Sequence, residues 1–289
     1  MDEVEAASRA RRFIAGLDLS RIGDSLDAYV DKIGAKVKSE PMGDGESGVA
    51  MIKNGSPRIL LNSNESLARQ RFTLCHEIAH VVLGLPTNHA DIPSWVYAKR
   101  DANEAACDVF AAELLMPYFL FKPRMPFGEP SLEMLDNLAS TFGTSFPATG
   151  SRFASLSDEL CAFIFCESGR IRYSIRSTSL RAARGWIDLK MPIPPGSISH
   201  QLRCVPDSGS DSGYVSRDVW FSDWSKKDEL FECARHYPVF DQTVALLWFE
   251  EEDGAPVRTN QQRDRDDEGF GLEELTGDLP WPGRSKRRP

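Results

Sequence analysis

The chain has 289 residues, of which 41% are hydrophobic and 27% charged; its formal net charge is −9 and its pI about 5.2. This length holds two or three compact units, and the apolar fraction is enough for a buried core. The acidic balance excludes a protein that binds nucleic acid through bulk positive charge.

The N-terminal segment begins acidic and lacks the apolar region of a secretory signal. No stretch approaches the ~18 uninterrupted apolar residues of a membrane span. The six cysteines are few for this length and form no CxxC pair, which is typical of reduced thiols. We therefore expect a cytoplasmic protein with no membrane partner.

The N-terminal part predicts a helix followed by a small sheet. Apolar residues keep helical spacing over residues 4–33, and Gly34 is the expected stop. Strand-like runs follow at 35–39, 48–53 and 58–62. Asn54-Gly55 separates the last two and is a strong signal for a tight hairpin.

Two further helices are predicted next. The first follows a group of polar N-cap residues at 63–66 and keeps its periodicity as far as Gly84, with Pro86 just beyond. Residues 86–100 are expected to form a loop. The second helix covers 101–116, is rich in helix formers and stops at Pro117.

The rest of the chain predicts a helical segment, then a strand-rich segment and then a charged tail. Residues 131–155 predict two short helices joined at Gly143, which form either a helix-turn-helix or an ordinary helical hairpin. From residue 159 the pattern indicates strands, at 160–166, 170–176, 215–221 and 244–249, with a flexible loop at 205–213. Residues 251–289 are charged and rich in Gly and Pro, so we expect a disordered tail.

The most informative motif is His76-Glu77-Ile78-Ala79-His80, an HExxH sequence on a predicted helix. Histidines four residues apart lie one turn apart on one helix face and can share a metal ion. Zinc in such a site is a Lewis acid that activates water, and Glu77 is the expected general base. The motif predicts a Zn²⁺ peptidase, with Mn²⁺ as an alternative metal.

The third ligand must come from elsewhere, because Leu83 and Pro86 occupy the positions that a longer HExxHxxGxxH motif needs. Glu104 lies on the next predicted helix and would complete a His₂Glu set with one open position. Asp108 is four residues later, on the same face, where it can accept the free ring N–H of a zinc-bound histidine. An Asn-Glu-x-x-x-Asp stretch after HExxH resembles that of thermolysin-type gluzincins, in which those two positions have these roles.

Three other residues near the motif are alternative ligands. Cys107 is three residues after Glu104 and could also face the metal, although two histidines and one glutamate already complete a catalytic set. Cys75 points about 100° away from His76 around the helix, which favours a place in the core. His89 is an alternative third ligand, because its loop is short and close.

The remaining polar residues of interest lie outside the predicted ligand set. Tyr97 or His89 could stabilise an oxyanion, but no spacing rule supports either. His200 and His236 are isolated in the sequence, and Glu113 is expected to be solvated on another part of its helix.

Two segments of the sequence resemble a known family. The segments RFTLCHEIAHVVLG and NEAACDVFAAELLMP are similar to the two helical motifs of the ImmA/IrrE metallopeptidases, with Cys75 and Cys107 where that family has alanine. The motifs cover about residues 59–117. Residues 131–156 also resemble the family's helical segment after the peptidase domain, and 159–250 resemble the GAF-like domain of longer IrrE-like members.

Together with the patterns above, the resemblance implies an α+β protein with a zincin-like, gluzincin-type peptidase domain over 1–128, a helix-turn-helix-like segment over 129–157 and a strand-rich GAF-like domain over 158–250. The composition of 251–289 adds a disordered tail. The resemblance also implies an endopeptidase that cleaves a helix-turn-helix transcriptional repressor and so induces a stress-response or mobile-element regulon.

The sequence also bears on two other function classes. A metal-stabilised antirepressor or antitoxin-like protein would act by contact, but it would have no need of Glu77. Direct DNA binding is disfavoured, because Arg152 is the one Arg or Lys in 131–156.

Overall fold

The computed structural model describes residues 1–43, 45–86, 102–126, 128–205, 209–221 and 229–250. The chain divides into two compact units. Among the described residues, unit 1 contains Met1–Phe121 and Leu138–Ala148, and unit 2 contains Lys122–Asn137 and the residues from Thr149 onward. Helices and two separate sheets make this an α+β fold, as predicted. No described helix has the length and apolarity to cross a membrane.

Unit 1 begins with two helices where the spacing of apolar residues predicted one. Helix α1 covers Glu3–Ile14 and α2 covers Asp27–Ile33. The continuous helix over 4–33 was wrong: the chain leaves helical geometry at Ala15, and Gly16 has a φ of +81°. The predicted stop at Gly34 is confirmed, since this residue is left-handed with φ +62°.

A three-stranded sheet follows, in the order β1-β3-β2, formed by Lys36–Glu40, Gly48–Lys53 and Ser56–Asn62. Strand β3 lies between β1, to which it is parallel, and β2, to which it is antiparallel. The predicted hairpin is confirmed: Asn54 and Gly55 have φ angles of +53° and +75°, the positive values of a type I′ turn.

Helix α3 (Leu67–Leu83) and helix α4 (Ala102–Leu115) pack against each other, and α4 also packs on α1. Ser66 caps α3 by accepting a hydrogen bond from the backbone N–H of Arg69, and Gly84 ends the helix. Most of α4 is buried, because neighbours cover it on two sides. These two helices carry the two histidines, Glu77, Glu104 and Asp108 of the predicted metal site.

After α5 (Tyr118–Phe121), helices α6 (Leu132–Phe142) and α7 (Phe146–Leu156) flank a turn at Gly143, which has φ +61°. Arg152, the one basic residue of this segment, is buried. The two predicted short helices are therefore present, and neither exposes a basic face.

A buried arginine holds three segments of unit 1 together. Arg71 lies on α3, and its guanidinium donates hydrogen bonds to the main-chain carbonyls of Ile22, Asp24, Phe142 and Gly143. The segments meet closely: a Cβ at Gly23 would lie 2.1 Å from the carbonyl oxygen of Thr141, and one at Gly143 would lie 2.7 Å from that of Gly23. Only glycine fits at either position.

Unit 2 contains a five-stranded antiparallel sheet in the order β5-β4-β8-β7-β6. The strands are Cys161–Glu167 (β4), Arg170–Arg176 (β5), Ser210–Ser216 (β6), Glu229–Tyr237 (β7) and Gln242–Trp248 (β8). Two short helices, α8 (Thr178–Ala182) and α9 (Ile198–Arg203), belong to the same unit.

The sequence placed some of these strands wrongly. A strand over 215–221 was expected, but β6 ends at Ser216 and a 3-10 turn follows; the predicted loop over 205–213 contains the start of β6. Strand β7 was missed entirely. It contains Glu232, which is fully buried and accepts hydrogen bonds from the backbone N–H groups of Ile198 and Ser199, the Ser199 hydroxyl and the Trp220 indole.

Candidate metal centre

The two histidines of the HExxH motif lie one turn apart on α3, as their spacing requires, and Glu104 reaches them from α4. The Nε2 atoms of His76 and His80 are 3.0 Å apart. One carboxylate oxygen of Glu104 is 3.2 Å from His76 Nε2 and the other is 3.7 Å from His80 Nε2. These three side chains form a group that could hold a metal ion, with ligand atoms all within 4.8 Å of one another.

Each histidine is oriented through its other ring nitrogen. His76 Nδ1 is 2.8 Å from Oδ1 of Asp108, a carboxylate only 1% exposed. His80 Nδ1 is 3.3 Å from the main-chain oxygen of Leu85. Because both neighbours are acceptors, each neutral ring carries its proton on Nδ1 and presents a lone pair at Nε2.

The donor set fits a divalent metal. Two imidazole lone pairs and a carboxylate converge on one point. These electron-rich groups repel one another unless a cation lies between them. In addition, Oε1 of Glu104 is buried and has no hydrogen-bond partner among the described residues. A buried carboxylate oxygen is costly to leave in that state, and coordination of a cation would satisfy it.

The protonation equilibria of the metal-free protein reflect the same crowding. Burial favours neutral His76, but its contacts with Asp108 and Glu104 outweigh this and raise its pKa to about 10. Burial alone would raise the pKa of Glu104, yet the hydrogen bond from His76 and the nearby His80 ring hold it well below its usual range. A proton on this cluster therefore takes the place that a cation would fill, and metal binding must displace it.

Glu77 lies on α3 between the two histidines, is 1% exposed, and its negative charge contributes to the raised pKa of His76. The structure thus places all five predicted site residues on two packed helices, with Glu77 next to the histidine pair. One contact was missed from the sequence, the carbonyl of Leu85 at His80. Its only signal was the Gly84-Leu85-Pro86 stop, which predicted a helix end and nothing more.

Other candidates lie apart from this cluster. Cys75 and Cys107 are completely buried, and burial raises the pKa of the Cys75 thiol to about 12, so it stays protonated in the core. Glu113 is buried, contrary to the prediction of a solvated side chain. It accepts hydrogen bonds from Nε of Arg11 and the backbone N–H of Tyr118.

The remaining histidines belong to unit 2 or are not described. His200 is within 3.9 Å of the Cys204 sulfur, and His236 Nδ1 lies near the oxygens of Gln242 and Thr243. His89 and Tyr97 fall outside the described residues, as does the tail over 251–289.

Two histidines and a carboxylate from adjacent helices, with a buried glutamate between the histidines, are the set of side chains typical of metallopeptidase sites. Residues 30–153 match the family model of the IrrE N-terminal-like domain, peptidase M78. This part of the chain therefore belongs to the ImmA/IrrE family, as the sequence motifs predicted.

The fold is similar to that of a Mycobacterium tuberculosis transcriptional regulator, with a TM-score of 0.58 and 14% sequence identity; the match covers 85% of this chain and 76% of the other. At that identity the likeness concerns the fold alone. No curated protein matches the sequence.

Proposed function

We propose that the chain is a zinc-dependent endopeptidase of the gluzincin type, with His76, His80 and Glu104 as metal ligands, Glu77 as general base and Asp108 as the acceptor that orients His76. The observation that carries this proposal is the convergence of two Nε2 atoms and the Glu104 carboxylate beside a buried Glu77. Mn²⁺ could occupy the same donors, since imidazole and carboxylate also bind it.

Each residue of the centre would have its own role in peptide hydrolysis. A Zn²⁺ ion held here supplies Lewis-acid chemistry. Asp108 keeps the proton of His76 on Nδ1, so that Nε2 remains a donor atom. Glu77 takes a proton from the water that attacks the peptide carbonyl and passes it to the leaving amine. Burial of Glu77 and Asp108 excludes bulk water from both proton positions.

For the substrate we propose a helix-turn-helix transcriptional repressor, cut at one or very few bonds within an exposed segment, in the cytoplasm. Membership of the ImmA/IrrE family supports this, because the family acts on such repressors. The buried Arg152 supports a substrate that is protein rather than DNA, since the helix-turn-helix-like segment exposes no basic residue.

The domain assignment belongs to the same proposal: a peptidase domain over 1–128, a helix-turn-helix-like segment over 129–157, a GAF-like domain over 158–250 and a disordered tail over 251–289. The five-stranded antiparallel sheet supports the GAF-like assignment. Because a metallopeptidase cleft contacts mainly the substrate backbone, selectivity should come from the residues after 130.

The test is cleavage of the repressor encoded nearest the gene, with Zn²⁺ or Mn²⁺ added and casein as a control substrate. Glu77→Gln should bind metal but cleave ~10²–10⁴-fold more slowly, because an amide cannot accept the proton. Glu113→Gln is the matched control: it alters a glutamate equally buried in the same unit, which faces Arg11 and Tyr118. It should keep most of the activity once its thermal stability is allowed for.

Each alternative gives a different result. Unchanged cleavage by metal-loaded Glu77→Gln would remove Glu77 from the mechanism. Rapid digestion of casein with an intact repressor would favour a general peptidase. If the repressor is released from its DNA equally by wild type and Glu77→Gln, without cleavage, the protein acts by contact, as the antirepressor alternative requires.

A further inference from the structure

The residues that follow helix α3 fold back onto His80, a member of the metal cluster. Gly84 is left-handed, with φ +67°, and its N–H donates to the carbonyl oxygen of His80. The N–H of Leu85 donates to the same oxygen at 3.1 Å. The carbonyl of Leu85 in turn accepts from His80 Nδ1 at 3.3 Å. The peptide groups of Leu85 thus bind both the backbone and the ring of one histidine.

Neighbouring residues fix this carbonyl in place. A Cβ on Gly84 would meet nothing within 4 Å, so glycine is required there by its positive φ and not by lack of space. Pro86 disfavours helical geometry at the residue before it, which restricts how the Leu85 peptide can turn. The side chain of Leu85 packs against the small cluster of Ala6, Ala106 and Val109, which includes two residues of the helix that carries Glu104.

We propose that the Gly84-Leu85-Pro86 turn positions His80 as a metal ligand: the Leu85 carbonyl sets the tautomer and direction of that ring, as Asp108 does for His76. Gly84 is then a positioning residue, because only its left-handed backbone brings the carbonyl back over the last turn of α3. This inference rests on the metal centre proposed above. It adds that the affinity for metal depends on the φ angle of a glycine, which has no side chain to offer the metal.

The chain contains a matched control. Gly34 ends α2 with nearly the same geometry, φ +62° and ψ +30°, and a Cβ there would also meet nothing within 4 Å. The N–H of Ala35 donates to the carbonyl of Val30 at 3.1 Å, as that of Leu85 does to His80. Helix α2 carries no member of the metal cluster. The same substitution at Gly34 and Gly84 therefore causes the same backbone strain with different consequences for the metal.

The experiment measures Zn²⁺ affinity of the full chain by competition with a chromophoric chelator, with no substrate present. Valine is strongly disfavoured at positive φ, so Gly84→Val should lose the Leu85 acceptor and weaken Zn²⁺ binding by ~10–100-fold. Gly84→Asn tolerates left-handed geometry and should bind within about threefold of wild type. Gly34→Val should lower the melting temperature to a similar extent but also bind within about threefold of wild type.

A spectroscopic signal identifies the contact itself. In the Zn²⁺-loaded wild type, the Nδ1 proton of His80 should give a downfield resonance protected from exchange, and Gly84→Asn should retain it. Gly84→Val should lose it. If Gly84→Val does not fold, Gly84→Ala serves instead; the smaller strain of alanine should reduce affinity up to about fivefold.

The outcomes separate the two proposals. If wild type binds Zn²⁺ and a folded Gly84→Val binds it equally well, the turn is only a helix stop and this inference is wrong, while the metal centre stands. If Gly34→Val weakens Zn²⁺ binding as much as Gly84→Val, the effect is general destabilisation and the inference is again wrong. If the wild-type chain does not bind Zn²⁺ at all, the proposed function fails.

Discussion

Replacement of Asp108 by asparagine tests how the centre is organised. The carboxylate is 1% exposed, and its Oδ1 lies 2.8 Å from His76 Nδ1. Asparagine has almost the same shape, and its amide oxygen can still accept from Nδ1, but it lacks the negative charge that makes the ring a stronger ligand. Loss of such a carboxylate typically lowers metal affinity ~10–100-fold, or about 1.4–2.7 kcal/mol.

Burial favours the neutral ring of His76, but the Asp108 carboxylate, together with Glu104 and Glu77, raises the pKa of His76 to about 10 in the metal-free protein. In wild type the metal must therefore compete with a proton at neutral pH, and Asp108→Asn should weaken that competition. Wild-type Zn²⁺ affinity should therefore keep rising with pH up to about 10, the pKa of His76. The affinity of the variant should level off at a lower pH. The affinity deficit of the variant should thus be larger at pH 9 than at pH 6.5.

Chelator competition at these two pH values measures the effect, with circular dichroism to check the fold. An equal deficit at both pH values would show that Asp108 does not control the protonation of His76. Unchanged affinity and unchanged activity together would show that Asp108 has no part in the centre.

Three further predictions concern the rest of the chain. Arg71→Leu removes the donor of four carbonyl contacts, two of them buried and two part-buried. It should destabilise unit 1 by about 3 kcal/mol or more, seen as a lower urea midpoint, and a midpoint within error of wild type would contradict the described role. Glu232→Gln places an amide among four donors and should lower the free energy of unfolding of unit 2 by about 2–4 kcal/mol. A shift in Trp220 fluorescence should report the local change, and an unshifted spectrum with wild-type stability would contradict the prediction. Deletion of 252–289 should leave melting temperature and peptidase activity close to wild type, because this polar segment cannot bury enough apolar area to offset its ordering entropy; a large drop in melting temperature would refute this.

The sequence predicted those features that depend on local geometry. His76 and His80 are four residues apart, so helix geometry alone brings them together, and Gly34, Asn54-Gly55 and Gly84 each mark a left-handed position. Strand β7 could not be found this way. Its Glu232 is compatible with a buried strand only because partners between 12 and 34 positions away in the sequence hydrogen-bond the carboxylate.

Other errors have similar causes. Strand β6 consists largely of small polar residues, because it lies at the edge of the sheet with most of its side chains exposed, and its composition is that of a loop. The break after α1 was hidden because apolar residues continue at helical spacing through a segment that is not helical: Leu19, Ile22 and Leu26 are all buried. Spacing records which residues reach the core and not the path by which they do so.

The contacts of Arg71 have a consequence for sequence divergence. Within the part of the chain that the structure describes, the acceptors of its guanidinium are main-chain carbonyls, so the side chains at the accepting positions are not selected by this interaction. Substitutions there can accumulate, but an insertion or deletion that shifts the loop after α1 would withdraw the carbonyls of Ile22 and Asp24 from reach. Proteins that share this arrangement should therefore vary freely in residue type along that loop while keeping its length, the arginine, and glycine at the positions of Gly23 and Gly143.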